Sequence, residues 1–332
     1  MIINNTSTDA HAQVAVQIRH HVPLADKTWF KVGGTARFFC EPTNAQEFQH
    51  AIVWARQQEL EIFILGEGAN ILVSDAGFNG LVIRPQIRDI TVHDALAHAD
   101  DGNSVAVTAG AGVSLADLIT FCLDNNIAGI EEFSGIPGTV GGSVYINLHY
   151  FEFLLSQFLI SARVINSHTG DLKTVTTDWF AFGYNQSTLQ EKDWFLVDAT
   201  FKLRRCTDLE RAYAQGRRVE IIRHRVSRYP AKNTCGSFFR NFHNDEVTLE
   251  SNGKKMIYVA YYLDKIGVKG NLTCGDAIVS YQHANMLVNR GKATSADLVL
   301  LVRTMQELVL KQFGIVPQPE CILVGFDSYP LL

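Results

Sequence analysis

Two short stretches of this sequence have the composition of an anion-binding backbone. GEGAN at residues 66–70 and SGIPGTVGG at 134–142 are glycine-rich loops. Loops of this kind leave peptide N–H groups free to form concave anion sites. One such loop by itself reads as a structural turn between strands, but two in one half of a chain favour a large shared anion, of which pyrophosphate is the commonest. Neither loop has the GxGxxG spacing of a Rossmann fold or the GxxxxGK[ST] of a P-loop. A dinucleotide held by a different fold is the ligand they point to.

Three other residues could move or hold protons. Ser237 in CGSFFRN lacks the GxSxG elbow of a nucleophile, which leaves a turn residue or a hydroxyl proton donor. Glu320 in PQPECILVG stands alone in an apolar run. It is either a carboxylate facing solvent at a strand edge or a tuned acid or charge stabiliser. His283 in SYQHANMLVN has no second ligand at metal spacing, so it reads as a partly buried histidine with its hydrogen bonds satisfied, and no metal is expected.

The elements that must position these residues alternate between α and β. TWFKVGGTARFFCEP reads as strand, Gly-Gly turn and strand. NAQEFQHAIVWARQQEL has helical spacing, and EIFILGEGANILVSDAGFNGLVIR reads as three strands around two turns. SVAVTAGAG is a strand and VSLADLITFCLDNN a helix capped by Ser114 with Asp117 three residues on. Residues 161–203 read as strands around a turn at Thr169 and Gly170. The arginine-rich helical stretch that follows marks a boundary near residue 205. MIYVAYYLDKIGVKG is a helix with Gly267 near its end, ANMLVN a short strand, SADLVLLVRTMQELVLKQFG a long helix capped by Ser295 and stopped by Gly314, and CILVGF a strand. Without a regular βαβ period the fold class is α+β.

Composition narrows the partners. A chain of 332 residues is long enough for two or three subdomains around a cleft. A net charge of -5 argues against a broad nucleic-acid surface. No apolar run reaches the roughly 20 residues of a membrane helix, and residues 1–13 lack the pattern of a secretory signal. Cys40, Cys122, Cys206, Cys235, Cys274 and Cys321 are widely spaced, which suits reduced thiols in the cytoplasm.

Seven segments in order, TWFKVGG, LGEGANILVSDAGFNGLVIR, FSGIPGTVGGSVYIN, GSFFRN, GVKG, VSYQHANMLVN and QFGIVPQPECILVG, resemble the UDP-N-acetylenolpyruvoylglucosamine reductase (MurB) family, in its shorter subtype. The resemblance spans about residues 28–325. It implies a two-lobed FAD-binding region of the PCMH/vanillyl-alcohol-oxidase type at 1–86 and 87–205, an α+β substrate domain at 206–317, and a tail at 318–332 that brings Glu320 to the active site. By the same resemblance Gly135, Ile136, Gly138, Gly141 and Gly142 would contact FAD through their backbone, with Gly66, Gly68, Ala69 and Asn70 on its other side. NADPH would be the hydride donor and a nucleotide sugar the substrate, in cytoplasmic peptidoglycan precursor synthesis. No protein partner is predicted. Ser237 matches the family's proton donor and Glu320 its charge-stabilising acid, while Tyr184, Arg240, Asn241 and His283 match substrate contacts.

Two segments depart from the family pattern. The catalytic arginine of Y-R-x-S is Asn185 in FGYNQST, and A-G-A-Y-G after Asn147 becomes LHYFE. An uncharged amide in place of a preorganised cation predicts a loss of about 100- to 1000-fold in rate, unless another cation such as Arg204 or Arg228 substitutes. His149, Tyr150 and Phe151 are expected to narrow or reshape the cavity. The alternatives to the family reaction are therefore a FAD enzyme of the same fold with a changed substrate and a catalytically weak flavin-binding paralogue.

Overall fold

The computed structural model describes residues 16–93 and 103–332, and the polar stretch 1–13 lies outside them. The first part is built from β1 (Arg19–Pro23), β2 (Thr35–Cys40), α1 (Ala45–Gln57), β3 (Ile62–Ile64), β4 (Ile71–Val73) and β5 (Phe78–Ile83). Its sheet has the order β1-β2-β5-β3, antiparallel at β1/β2 and parallel elsewhere. Asn44 caps α1 by accepting the Glu47 N–H at 2.9 Å, and Phe48, Ala51, Ile52 and Ala55 bury the helix face that sequence spacing marks. The strand expected at TWFKV is absent. That segment is a turn, in which the Thr28 hydroxyl donates to the Val32 carbonyl at 3.2 Å and Lys31 takes φ 57°, so no ladder forms there.

The second part contains β6 (Ile90–His93), β7 (Ser104–Gly110), α2 (Leu115–Asp124), β8 (Ile127–Ala128), α3 (Val140–Tyr145), β9 (His149–Tyr150), β10 (Phe153–Leu154), β11 (Leu159–Asn166), β12 (Leu172–Thr176) and β13 (Trp194–Arg205). An antiparallel sheet runs β12-β11-β13-β7-β6, with β8 also on β13. Ser114 caps α2 through the Asp117 N–H at 3.0 Å, as its sequence indicates. The twelve-residue β13 joins two cores. Phe195 and Val197 pack with α1 and the first sheet, whereas Ala199, Phe201 and Leu203 pack with α2 and α3.

Beyond β13 come α4 (Asp208–Arg228), the short hairpin β14 (Glu250–Ser251) and β15 (Lys254–Lys255), α5 (Val259–Lys265), β16 (Thr273–Cys274), β17 (Ala277–Val279), β18 (Leu287–Asn289), α6 (Ser295–Phe313) and β19 (Ile322–Val324). The cap of α6 is Thr294, whose hydroxyl accepts the Asp297 N–H at 3.0 Å, and not Ser295. Ser295 has another partner: its hydroxyl accepts the Asp75 N–H at 2.8 Å while the Asp75 carboxylate accepts the Ser295 N–H at 2.9 Å. This reciprocal pair ties the start of α6 to the first part of the chain. Gly314 ends the helix at φ 72°.

The chain then returns. Strand β19 lies parallel to β4, with Ile322 opposite Ile71 and Val324 opposite Val73. Phe30, Val32 and Leu72 join the core of α5 and α6. These contacts close the third part onto the first and place residue 320 beside loop 66–70.

Candidate active site

A cavity of about 1430 Å³ opens where the three parts meet, and both glycine loops line it. Loop 66–70 connects β3 to β4. The N–H groups of Gly66, Glu67, Gly68, Ala69 and Asn70 have no acceptor among the described residues. Gly68 has φ +67°, and a Cβ there would stand 2.5 Å from the Lys27 carbonyl oxygen, so glycine is required. Successive free N–H groups around a left-handed residue form a concave array of donors suited to phosphate oxygens. The loop is held from behind by the Trp29 N–H on the Gly68 carbonyl and the Ile322 N–H on the Asn70 carbonyl, both at 3.0 Å.

The second loop behaves differently from its sequence expectation. The Ile136 N–H donates to Phe133, Gly138 to the Glu67 carboxylate, Gly141 to Ala111 and Gly142 to the Thr139 hydroxyl, all within 3.2 Å. Of its five expected FAD contacts, only Gly135 keeps an open N–H. This loop presents bare backbone surface, and the donors lie in the first.

Ser237, Glu320, His283 and Asn241 all reach the wall of the same cavity. Backbone pairing brings them together. The Phe238 carbonyl accepts the N–H groups of Glu320 and Cys321 at 2.8 and 3.1 Å, and Ser237 forms a bridge with Met286 on the other side. The Asn285 side chain satisfies both the N–H and the C=O of Phe239, at 3.0 and 2.7 Å, acting as a missing strand. The Ser237 hydroxyl has no protein partner among the described residues. Burial lowers the His283 pKa, and its Nδ1 accepts the Asn285 N–H at 3.3 Å, so it is a neutral structural ring on the wall.

Burial pushes the Glu320 carboxyl up to about 7, and the nearby Asn185 amide opposes this in part. Asn185 sits at φ 54°, and neither of its buried amide atoms has a hydrogen bond of ordinary geometry. The influence on Glu320 is therefore that of an adjacent dipole rather than of an aligned bond. The turn carrying Asn185 is held by the Asn147 amide on Gly183 at 3.1 Å and the Gln190 amide on the Asn185 carbonyl at 2.8 Å. Tyr184 lines the cavity close to Asn241 and Glu320, its phenol raised first by burial and then by the Glu320 charge.

The cations fall into two sets. Arg240 is outside the wall: it makes two hydrogen bonds of 2.7 Å to Glu246 and holds that carboxyl at about 2. Arg204 pairs with Glu210 at 2.7 Å on the surface, and Arg228 lies beside His224 at 3.3 Å, so neither substitutes at Asn185. Among the described residues two cations line the wall, Lys192, which pairs with Glu61 at 3.6 Å, and Arg225, which sequence reasoning missed. Its Nε–H donates to the Gly135 carbonyl at 3.1 Å, its guanidinium lies 5.6 Å from the Tyr150 ring and 5.3 Å from the Tyr229 ring, and no carboxylate pairs with it among the described residues. Its hydrogen bond to the second loop, which no sequence pattern shows, singles it out among the arginines of that helix. The LHYFE residues supply β9 and the turn of the β9–β10 hairpin along the wall, with the His149 ring 5.0 Å from Tyr184.

A family model described as FAD binding domain matches residues 36–176, and one described as UDP-N-acetylenolpyruvoylglucosamine reductase, C-terminal domain, matches residues 228–324. The chain is 31% identical over 323 residues to the UDP-N-acetylenolpyruvoylglucosamine reductase of Synechococcus sp. (strain JA-3-3Ab), covering 97% of this chain and 96% of that protein. It is 32% identical over 309 residues to the enzyme of that name from Agathobacter rectalis, covering 91% and 92%. The crystal structure of the reductase from Thermus caldophilus superposes with a TM-score of 0.70 at 26% identity, over 93% of this chain and 99% of that one. This chain belongs to the UDP-N-acetylenolpyruvoylglucosamine reductase family.

The reductase fold is α+β, with an FAD-binding domain of the PCMH type followed by the family's C-terminal domain. None of its described helices is long and apolar enough to cross a membrane. The buried acid of this reductase has a measurable consequence. The folded Glu320 carboxyl titrates near 7 against 4.5 for the ordinary group, so the native state holds the extra proton between those values and stability is lost as pH rises through that window. Full ionisation costs about 3 kcal/mol. Glu320→Gln is expected to melt close to wild type at pH 5 and several degrees above it at pH 8. Equal melting temperatures at both pH values would remove the buried-acid assignment.

Proposed function

We propose that this chain reduces UDP-N-acetylglucosamine enolpyruvate to UDP-N-acetylmuramate with FAD and NADPH, in cytoplasmic peptidoglycan precursor synthesis. The observation that carries this reading is the meeting, on one cavity, of five free peptide N–H groups at 66–70, the unpartnered Ser237 hydroxyl and the buried Glu320. The donor array fits the FAD diphosphate, and the bare backbone of the second loop leaves room for a flat ring system. When bound, FAD supplies hydride exchange between NADPH and the enolpyruvyl carbon β to the carboxylate.

The protein's own residues then manage charge and protons. Hydride addition leaves enolate-like charge on the substrate carboxylate, where protonated Glu320 and the orphaned Asn185 amide can donate hydrogen bonds. The Ser237 hydroxyl gives its proton to the α carbon. Arg225, desolvated and unpaired, suits an anionic nucleotide, and Tyr184 and Asn241 line the same wall. Arg240, committed to Glu246, would act on substrate only through its neighbours. A division into lobes at 1–86 and 87–205, a substrate domain at 206–317 and a tail at 318–332 is supported by the end of β13 at Arg205 and the pairing of β19 with β4.

A second reading, the same fold with a changed substrate, draws support from one observation: the aromatic β9–β10 hairpin lies on the cavity wall against Tyr184. One assay separates the two. Purified protein is expected to be yellow and to oxidise NADPH only when the enolpyruvyl nucleotide sugar is added. Protein that takes up no FAD would overturn both readings, and flavin-bound protein indifferent to that sugar would leave the second.

A further inference from the structure

Two side chains of loop 66–70 leave the loop: the Asn70 amide donates to the Glu320 carbonyl at 3.3 Å, and Glu67 reaches the second glycine loop. The Glu67 backbone N–H has no acceptor among the described residues, but its carboxylate crosses to the second loop and accepts the Gly138 N–H at 3.0 Å, between residues 71 apart in sequence. No lysine, arginine or histidine pairs with it among the described residues. Next to a cradle suited to a diphosphate, an unpaired carboxylate repels the ligand. Its place there is explained by reach rather than by charge.

The second loop needs such a hold. It has few donors to offer a ligand, and four other hydrogen bonds anchor it: the Leu115 N–H on the Gly138 carbonyl at 2.9 Å, the Val140 N–H on Val113 at 2.8 Å, the Gly141 N–H on Ala111 at 3.0 Å and the Arg225 Nε–H on the Gly135 carbonyl. All four run to the β7–α2 segment or to α4. Among the described residues only Glu67 makes a hydrogen bond from it to the first loop. The two loops are already in contact, since a Cβ on Gly66 would stand 2.8 Å from the Thr139 hydroxyl oxygen.

We infer that the Glu67 carboxylate is a clasp that fixes the second glycine loop against the diphosphate cradle, making Glu67 a positioning residue for FAD. This rests on the FAD reading above. Two variants separate reach from charge. Glu67→Gln keeps an oxygen at the same distance without the charge, whereas Glu67→Asp keeps the charge and falls one methylene short. FAD affinity is measured on flavin-free protein by quenching of flavin fluorescence, with melting of the flavin-free forms as the check on folding.

The clasp requires Glu67→Gln to bind FAD within about twofold of wild type, and Glu67→Asp and Glu67→Ala to bind at least about tenfold more weakly. If Glu67→Asp binds like wild type while Glu67→Gln and Glu67→Ala bind more tightly, the carboxylate is only a competitor for Gly138 and the clasp is wrong. Failure of the wild-type protein itself to bind FAD would instead remove the functional reading on which the clasp rests.

Discussion

Replacing Ser237 by alanine is expected to leave reduction of bound FAD by NADPH within about twofold of wild type and to slow formation of the reduced nucleotide sugar by about 10²- to 10⁴-fold. The split follows from where the hydroxyl stands. Ser237 lies on the strip between Met286 and the 318–321 segment, away from both glycine loops in sequence and held by backbone bonds that alanine retains. Its Oγ has no protein partner among the described residues, so removing it breaks no internal network and the fold is expected to be intact. Rapid-mixing absorbance of the flavin would resolve the two half-reactions. An equal loss in both would show that Ser237 supports the site without donating the proton.

Asn185→Arg is the second large change. A guanidinium at this position would supply the fixed positive charge that the cavity lacks beside Glu320, and the gain in turnover with the enolpyruvyl sugar is expected to be about 100-fold below the pH midpoints of both proteins. The same charge acts on the acid. Wild-type activity should fall as pH rises through about 7, where Glu320 ionises, and in the variant that midpoint should move about one to three pH units lower. The two effects oppose each other at neutral pH, so the full profile is the measurement that counts. The backbone exacts a cost, because φ 54° is a conformation asparagine tolerates and arginine disfavours by about 1–2 kcal/mol. A variant that loses melting temperature but shows an unmoved pH midpoint would mean that Asn185 does not govern Glu320.

Most of the secondary structure was legible because local signals agreed with tertiary packing. Ser114 caps the helix it precedes, the three strands form where the apolar runs lie between the glycine turns, and Gly314 ends the long helix. Where local signals misled, a distant partner had intervened. Ser295 looks like a helix cap, but its hydroxyl is claimed by Asp75, 220 residues away. TWFKV has the residues of a strand, but its Phe30 carbonyl is claimed by the Asn289 amide, 259 residues away, and its Trp29 N–H by the Gly68 carbonyl.

The site divides in the same manner. Residue types and order along the chain were enough to indicate the family and to mark the glycine loops, Ser237 and Glu320 as candidates, since these depend on chemistry that only certain side chains possess. Tertiary structure alone decided which of those groups is available. It showed that loop 66–70 keeps its N–H groups while loop 134–142 has committed most of its own. It turned Arg240 toward Glu246 and Arg225 toward the cavity, although both are arginines in polar stretches of sequence. It also raised the Glu320 pKa, because desolvation depends on what surrounds a carboxyl and not on its neighbours in the chain. Hydrogen bonds and burial are made between segments hundreds of residues apart, and a linear pattern carries no measure of that distance.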